Sequence, residues 1–256
     1  ALATVISQYV SGIGIMLYTL LCYKEVLVIF KISYLKKERI NQIISFSLLT
    51  CIQQSVMNLG ILMVQGLVNS FGTVVMAAFA AAVKIDAFAY MPVQDFGNAF
   101  STFIAQNYGA KENERIKQGL KDAVCISGLF CIVISVLVFV FAKPLMMIFV
   151  DAKETSIILE GIRYLRIEGA FYIGIGWLFL LYGLYRALGR PGMSVVLTVF
   201  SLGTRVALAY ILSSIPTLGV IGIWWSVPIG WALADIVGFV YYKINKHNLL
   251  SFGGKL

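Results

Sequence analysis

The segment that decides the fold is Thr73–Ala105, TVVMAAFAAAVKIDAFAYMPVQDFGNAFSTFIA. It is apolar over most of its length, but two charged residues, Lys84 and Asp86, interrupt its first half. At about 1.5 Å of rise per helical residue, both charges lie near the middle of a bilayer. Each costs about 2.5–3.5 kcal/mol at the centre of a membrane helix, so an ionisable pair kept there indicates a functional site.

The composition identifies an integral membrane protein. Hydrophobic residues make up 60% of the 256 residues and charged residues 12%, whereas a soluble domain carries about 25% charged residues. Seven apolar segments follow one another, and each has about the length that a helix needs to cross the hydrocarbon layer. They are Leu2–Cys22, Ile40–Val68, Val74–Ala105, Ala123–Phe141, Ile167–Tyr185, Met193–Leu212 and Val220–Tyr242.

The basic residues are distributed unevenly over the connections between these segments. One alternating set of connections, which includes the C-terminal tail, holds 14 lysines and arginines, and the other set holds four. Because basic residues concentrate in cytoplasmic loops, the richer side is predicted to face the cytoplasm. The expected location is therefore the cell (inner) membrane, multi-pass, with a cytoplasmic C-terminus. The net charge of +8 needs no nucleic-acid partner.

The chain is predicted to contain one helix of an N-terminal bundle and a full C-terminal bundle. The predicted parts are a truncated last helix of the N-terminal bundle at 1–30, a cytoplasmic linker at 31–39, a six-helix bundle at 40–247 and a cytoplasmic tail at 248–256. The stretch Val26–Leu35 suits a basic helix lying in the membrane interface or, equally, a solvated loop. The lipid bilayer and a missing N-terminal bundle are the expected partners.

Lys84 and Asp86 are two residues apart, so on a helix they point to nearly opposite faces. Each therefore needs a partner on another helix or a water-filled cavity. Two interpretations stay open: two structural interhelical pairs, or the lining of a polar translocation cavity. Pro92 follows and removes a backbone hydrogen bond, which predicts a hinge, although proline is also frequent in membrane helices.

Tyr164 and Glu168 are four residues apart and share a helical face. No basic residue precedes Glu168 by three or four positions, so its own helix offers no ion pair on that side. Glu168 could exchange a proton, or hold Na⁺ together with the Tyr164 hydroxyl. Alternatively, it is a boundary glutamate that reaches water or Arg205. Arg205 lies at a similar depth by helical rise, so an Arg205–Glu168 pair is predicted.

Uncharged polar side chains mark the helix that precedes the charged segment. Gln53, Gln54 and Asn58 either bond across helices or supply polar contacts to a cavity that accepts a polar or cationic solute. Asp235 lies in the last apolar segment. A structural cap or an interface partner is favoured for it over a transport role.

Enzyme motifs are nearly absent from the sequence. His247 is the single histidine and lies near the C-terminus, so neither an H-E-x-x-H zinc motif nor a Ser–His pair within the membrane occurs. There is no G-x-x-x-x-G-K-[ST] phosphate-binding loop either. The protein is predicted not to be an enzyme and to need no cofactor and no resident metal. Energy must then come from an ion gradient or from a partner.

Several short motifs resemble those of multidrug and toxic compound extrusion (MATE) transporters, most of all the bacterial DinF-like branch. QNYGAK at Gln106–Lys111 resembles the Q-N-x-G-A segment of that family, and LYRALG at Leu184–Gly189 resembles its R-[GA]-x-G turn. Further resemblances lie at Ala1–Gln8, like the start of the sixth helix, and at Gly203–Tyr210 and Gly222–Trp231, like the last two helices.

The resemblance implies an all-α membrane fold of twelve helices in two six-helix bundles. This chain would be the C-terminal bundle together with the last helix of the N-terminal bundle. The resemblance also implies a secondary active antiporter that exports organic cations or drugs in exchange for H⁺ or Na⁺ by alternating access.

The match to the family's ion sites is partial. Tyr164 and Glu168 fit the Tyr-x-x-x-acid pattern of the cation site in the C-terminal lobe of some members. Those members carry another acid in the first helix of this bundle, where this chain has none and where Asn58 or Gln54 stands nearby. DinF-like members resemble one another in using an acid of the N-terminal lobe, which lies outside this sequence.

Three other functions stay open at this point. The closest is a lipid-linked precursor flippase of the same superfamily, which needs a cationic cavity. Lys84 and Arg205 suit that function, whereas Asp86 and Glu168 oppose it. A membrane-embedded enzyme and a non-transporting structural half are the remaining alternatives.

Overall fold

Helices account for all the regular secondary structure in residues 2–23 and 37–249, the ranges that the computed structural model describes. Eight helices occur in these ranges. They are α1 (Leu2–Cys22), α2 (Lys37–Asn69), α3 (Thr73–Gly109), α4 (Asn113–Met147), α5 (Thr155–Gly169), α6 (Tyr172–Ala187), α7 (Pro191–Ser213) and α8 (Val220–Leu249). The predicted all-α class is confirmed. The stretch Val26–Leu35 and residues 250–256 lie outside the described ranges.

The chain divides into two compact units, Ala1–Ser47 and Leu48–Leu256. The first unit holds α1, which has no buried residue, and the beginning of α2. The second holds the rest of α2, the helices α3–α8 and both clusters of buried apolar side chains. The predicted linker at 31–39 falls largely outside the described residues, so this domain boundary stays a prediction.

One predicted segment is in fact two helices. The sequence indicated a single apolar run at Ile167–Tyr185, but the structure has α5 and α6, which meet at an angle of 51°. Phe171, the residue before α6, has φ −116° and ψ 20°, which interrupts the helical path. Hydropathy missed α5 because charged residues occupy much of it, and so it detected only the apolar part of this span.

The helix α6 is the centre of the second unit. Every side chain from Leu178 to Tyr185 is buried, as expected for a helix that is apolar on all sides. Its backbone approaches that of α3 so closely that a Cβ atom at Gly183 would lie 2.6 Å from the Gly97 carbonyl oxygen. Small residues allow such contacts between membrane helices.

The kink that the structure shows lies in α4 rather than in α3. Phe141 has a non-helical conformation, with φ −96° and ψ 17°, three residues before Pro144, whose ring crowds the preceding turn. Pro92 lies inside α3, which continues as one helix from Thr73 to Gly109. A hinge at Pro92 stays a prediction.

Candidate functional site

A cavity of about 530 Å³ lies among α2, α3, α5, α6, α7 and α8 of the second unit. Ligand sites in proteins commonly enclose about 300–1,000 Å³. Seven of the 22 residues that line it are aromatic: Phe79, Tyr90, Tyr164, Tyr172, Phe179, Tyr182 and Trp231. Four ionisable side chains also line it: Lys84, Asp86, Glu168 and Arg205. The cavity therefore combines rings suited to cation–π contact with charges of both signs.

Two carboxyl groups and two tyrosines form one buried group in this wall, which we call the acid cluster: Asp86, Tyr164, Glu168 and Tyr172. Asp86 is 4% exposed and Glu168 is 5% exposed. The Tyr172 hydroxyl donates a hydrogen bond to Asp86 Oδ1, and the Tyr164 hydroxyl interacts with both carboxyl groups. The bend between α5 and α6 assembles the cluster, because Glu168 ends one helix and Tyr172 begins the next.

Two carboxyl oxygens of the acid cluster could each accept a further hydrogen bond or bind a cation. Within the described residues, Asp86 Oδ2 and Glu168 Oε2 are buried atoms without a hydrogen-bond partner. Nearly all buried polar atoms in proteins are paired, so such atoms call for an explanation. A proton or a bound cation would complete both carboxyl groups, and it would also relieve the repulsion between them.

Arg205 does not pair directly with Glu168, contrary to the prediction from membrane depth. In the described parts of the chain, the ion pairs are Lys117–Glu114 and Arg163–Glu160. Arg205 lines the same cavity and attracts both carboxylates of the acid cluster without forming a close contact. Its Nε atom is buried and has no hydrogen-bond partner there. Similar depth is thus not enough to place two side chains in contact.

Lys84 and Asp86 line the same cavity but have different surroundings. Asp86 is buried against Tyr172, whereas Lys84 is exposed and its Nζ lies 5.7 Å from the centre of the Phe149 ring. That distance allows a cation–π contact. The two charges therefore do not neutralise each other, and Lys84 stays available to the cavity.

Of the three polar residues predicted on α2, the structure brings only Asn58 to the cavity wall. Gln53 is buried elsewhere and donates a hydrogen bond of 3.0 Å to Thr198 Oγ1 on α7. Gln54 is exposed and does not line the cavity. The expectation that Gln53 and Gln54 contact the cavity is corrected, and Gln53 instead bonds across helices, the alternative that the sequence also allowed. Gln54 shares a helical face with Asn58 but lies one turn earlier, and the residues of α2 that line the cavity begin at Met57.

An aromatic stack supports Tyr164. The Trp224 ring stacks on Phe79 at 5.6 Å between centres, and it meets the Tyr164 ring edge-on at 4.9 Å. Its indole Nε1 donates a hydrogen bond of 3.0 Å to Glu160 Oε1. Sequence reasoning had given Trp224 no role at the site. Its two partners on α5 are 60 or more positions away in the chain, so no local spacing reveals them.

Tyr172 is expected to be the main anchor of Asp86. In Tyr172→Phe, the Asp86 carboxyl group loses its hydrogen-bond donor while staying buried. We expect the free energy of unfolding to fall by about 1.5–3 kcal/mol, the usual worth of a hydrogen bond to a charged group. Denaturation of the purified protein in detergent measures the change. Tyr210→Phe, at an exposed tyrosine of α7, is the matched control; equal losses in both variants would contradict this role.

The fold and the cavity define a helical membrane protein with a buried polar site, and the comparisons with known proteins name its family. The MatE family model matches residues 47–211. The chain belongs to the MatE family. Members of this family are transporters and not enzymes, so the prediction of a non-enzymatic protein is confirmed.

Similar proteins are known from bacteria. The probable multidrug resistance protein YoeA of Bacillus subtilis (strain 168) is 28% identical over 213 residues, which cover 82% of this chain and 46% of YoeA. The probable multidrug resistance protein YpnP of the same organism is 27% identical over 248 residues, or 96% of this chain and 54% of YpnP. The chain therefore spans about half the length of these relatives.

A solved structure has the same fold. It is described as the outward-facing conformation of a multidrug resistance MATE family transporter of the MOP superfamily, and it superimposes with a TM-score of 0.88 at 22% identity. The match covers 96% of this chain and 55% of that structure. The helical arrangement predicted from the resemblance is thus confirmed.

Proposed function

We propose that the chain forms the C-terminal half of a secondary active antiporter that exports organic cations or drugs in exchange for H⁺ or Na⁺. The observation that carries this proposal is the acid cluster, in which two buried carboxyl groups with unpartnered oxygens face an aromatic cavity. Family membership and the relatives named for multidrug resistance support it.

The cavity offers a physical basis for exchange. An organic cation is attracted to the faces of the aromatic rings and to the negative charge of the acid cluster. A proton or Na⁺ bound by Asp86 or Glu168 removes part of that negative charge, so it lowers the affinity for the organic cation. Such mutual exclusion couples the two ligands, and the coupling acts equally in both directions.

The acid cluster contains groups that suit either driving ion. Carboxyl oxygens of Asp86 and Glu168 take up a proton directly. For Na⁺, these oxygens and the Tyr164 hydroxyl are the available ligands. The C-terminal end of α5 lies at Glu168, and the negative end of a broken membrane helix favours a cation.

A second bundle is required to complete the transport path. In alternating access, two bundles rock about a central site so that it opens to one side at a time. We infer that an N-terminal bundle fulfils this role beside the chain described here. The concentration of basic residues on one set of connections supports a cytoplasmic C-terminus.

Transport of ethidium into everted membrane vesicles tests this function, because uptake into such vesicles corresponds to export from the cell. An H⁺ gradient or a Na⁺ gradient is imposed across the membrane of everted vesicles that contain the complete transporter. The uptake of ethidium into the vesicles is then followed by fluorescence. We expect ethidium transport with one of the two gradients and none with de-energised vesicles. Failure of both gradients to drive any organic cation would contradict the proposal.

Lys84 and Arg205 provide the observation that favours a second candidate, a flippase of anionic lipid-linked precursors. Both positive side chains line the cavity. A flippase would use them to bind pyrophosphate, whereas a cation exporter would tolerate them only as a repulsive element. Lipid-dependent transport in liposomes distinguishes the two functions.

Lys84→Gln gives opposite results for the two candidates. For a cation exporter, removal of a repulsive charge from the wall should lower the KM for a monovalent organic cation by about 2- to 5-fold, as a weak charge interaction through water implies. Lys153→Gln, an exposed lysine outside the cavity, is the control. If lipid transport is lost in Lys84→Gln but kept in Lys153→Gln, the result would favour the flippase.

A further inference from the structure

A second buried carboxyl group lies outside the acid cluster. Asp235 on α8 is 6% exposed, and its Oδ1 is a buried atom with no hydrogen-bond partner among the described residues. The ion pairs found in that part of the chain do not include it. An unpaired carboxylate inside a membrane protein is costly, so Asp235 requires a ligand that neutralises its charge.

Asp235 lies one helical turn from the cavity wall. Trp231, four residues earlier on α8, lines the cavity. Both side chains pack against Gly174 of α6, where a Cβ atom would lie 3.7 Å from Asp235 Oδ2 and 3.2 Å from Trp231 Cβ. A larger residue at 174 would therefore crowd the space that holds the carboxyl group and the indole.

Tyr182 connects Asp235 with the cavity. It lines the cavity, and it interacts electrostatically with Asp235 and by a hydrogen bond with Thr198. Three helices pack around α8, and their ionisable side chains are Glu160, Arg163, Tyr164, Arg166 and Glu168 on α5, Tyr172, Tyr182, Tyr185 and Arg186 on α6, and Arg205 and Tyr210 on α7. Glu160 bonds to Trp224, and Tyr185 donates to the Gly238 carbonyl oxygen, so these two are engaged elsewhere.

The surroundings of Asp235 suit a proton better than a metal ion. A hard cation needs several oxygen ligands around it. Asp235 Oδ2 lies near the backbone of Gly174, which offers no side-chain oxygen, and the described residues contain no cluster of three His, Cys, Asp or Glu side chains that could hold a metal ion. A proton needs only the carboxyl oxygen itself.

We propose that Asp235 is a second proton-binding site of this bundle, which exchanges its proton with water in the cavity past Trp231 and Tyr182. In the release step, the O–H bond of the neutral carboxyl group breaks, the proton passes to water and a carboxylate remains; uptake is the reverse. The proposal rests on the proposed function, because it adds one proton site to the ion-coupling machinery. It also gives Asp235 a transport role in place of the structural one that sequence analysis favoured.

Difference infrared spectroscopy tests the site directly. The complete transporter, purified and reconstituted in lipid, is compared in acidic and alkaline buffer, and the C=O stretching bands of protonated carboxyl groups are recorded. We expect one such band to disappear in alkaline buffer and to be missing altogether from Asp235→Asn. Asp95→Asn, an exposed acid of α3, should leave that band unchanged.

Two results would overturn the proposal. If no band depends on Asp235, the carboxyl group is ionised throughout. If the band is present but does not change with pH, Asp235 is a fixed structural acid. The infrared result is independent of transport, so a failure of the efflux assay counts against the proposed function and leaves the assignment of Asp235 to be decided by its own band.

Discussion

Glu168→Gln should abolish most gradient-driven efflux. The substitution keeps the shape and the polar character of the side chain, but it removes one of the two carboxyl groups that we propose bind the driving ion. Coupling energies between ligands are commonly worth a factor of about 5 to 150 in affinity, so we expect a loss of transport within that range. Initial rates of ethidium uptake into energised everted vesicles, which corresponds to export from the cell, measure the effect after correction for the amount of protein.

The control for this prediction is Glu154→Gln. Glu154 is an exposed acid just before α5 and does not line the cavity, so this variant should keep the wild-type rate. Binding of ethidium without a gradient should survive in Glu168→Gln, because the aromatic wall and Asp86 remain. If Glu168→Gln exports at the wild-type rate, the acid cluster is structural and the coupling site lies elsewhere in the transporter.

Gly183→Ala should destabilise the fold strongly, because the added methyl group would meet the backbone of another helix. The new Cβ atom would lie 2.6 Å from the Gly97 carbonyl oxygen of α3. The obstacle is backbone, so the two helices must move apart. Overpacking of this kind costs about 1–3 kcal/mol. Thermal unfolding, followed by labelling of the buried Cys131 with a thiol-reactive fluorophore, measures the loss in a background where the exposed Cys22, Cys51 and Cys125 are replaced by serine. Cys131 is 1% exposed in the folded protein.

Gly203→Ala is the matched variant. This glycine lies in α7, and a Cβ atom there would meet nothing within 4 Å. Alanine is a better helix former than glycine by about 0.5–1 kcal/mol, so this variant should be as stable as the wild type or slightly more stable. Equal stability of Gly183→Ala and Gly203→Ala would show that the close approach of α3 and α6 is not needed for the fold.

Much of the fold could be predicted from the sequence because lipid imposes a simple rule. A long apolar run must be a helix, since every backbone polar group needs a partner within the membrane. The rule fails where a span is polar. It missed α5, and it started the fourth helix at Ala123 although α4 begins at Asn113, because hydropathy does not detect the charged turns at helix ends.

The candidate site could be predicted only in part, for a different reason. The spacing of Tyr164 and Glu168 indicates a shared face, and the depth of Asp86 in the membrane marks it as unusual. Tyr172 as the partner of Asp86 is not visible in the sequence, because the two residues are 86 positions apart. How far the cavity extends along α2 is also not visible in the sequence, so Gln54 was expected there although the lining residues of α2 begin one turn later, near Asn58.

The acid cluster lies at the bend between two rigid helices, α5 and α6. Glu168 belongs to α5 and Tyr172 to α6, and the two non-helical residues Ala170 and Phe171 separate these helices. The helix α5 has 15 residues and is about 22 Å long. A rotation of about 5° at the bend would move the far end of α5 by about 2 Å. If the acid cluster binds the driving ion as we propose, a small rearrangement of its carboxyl groups would therefore displace the far end of α5.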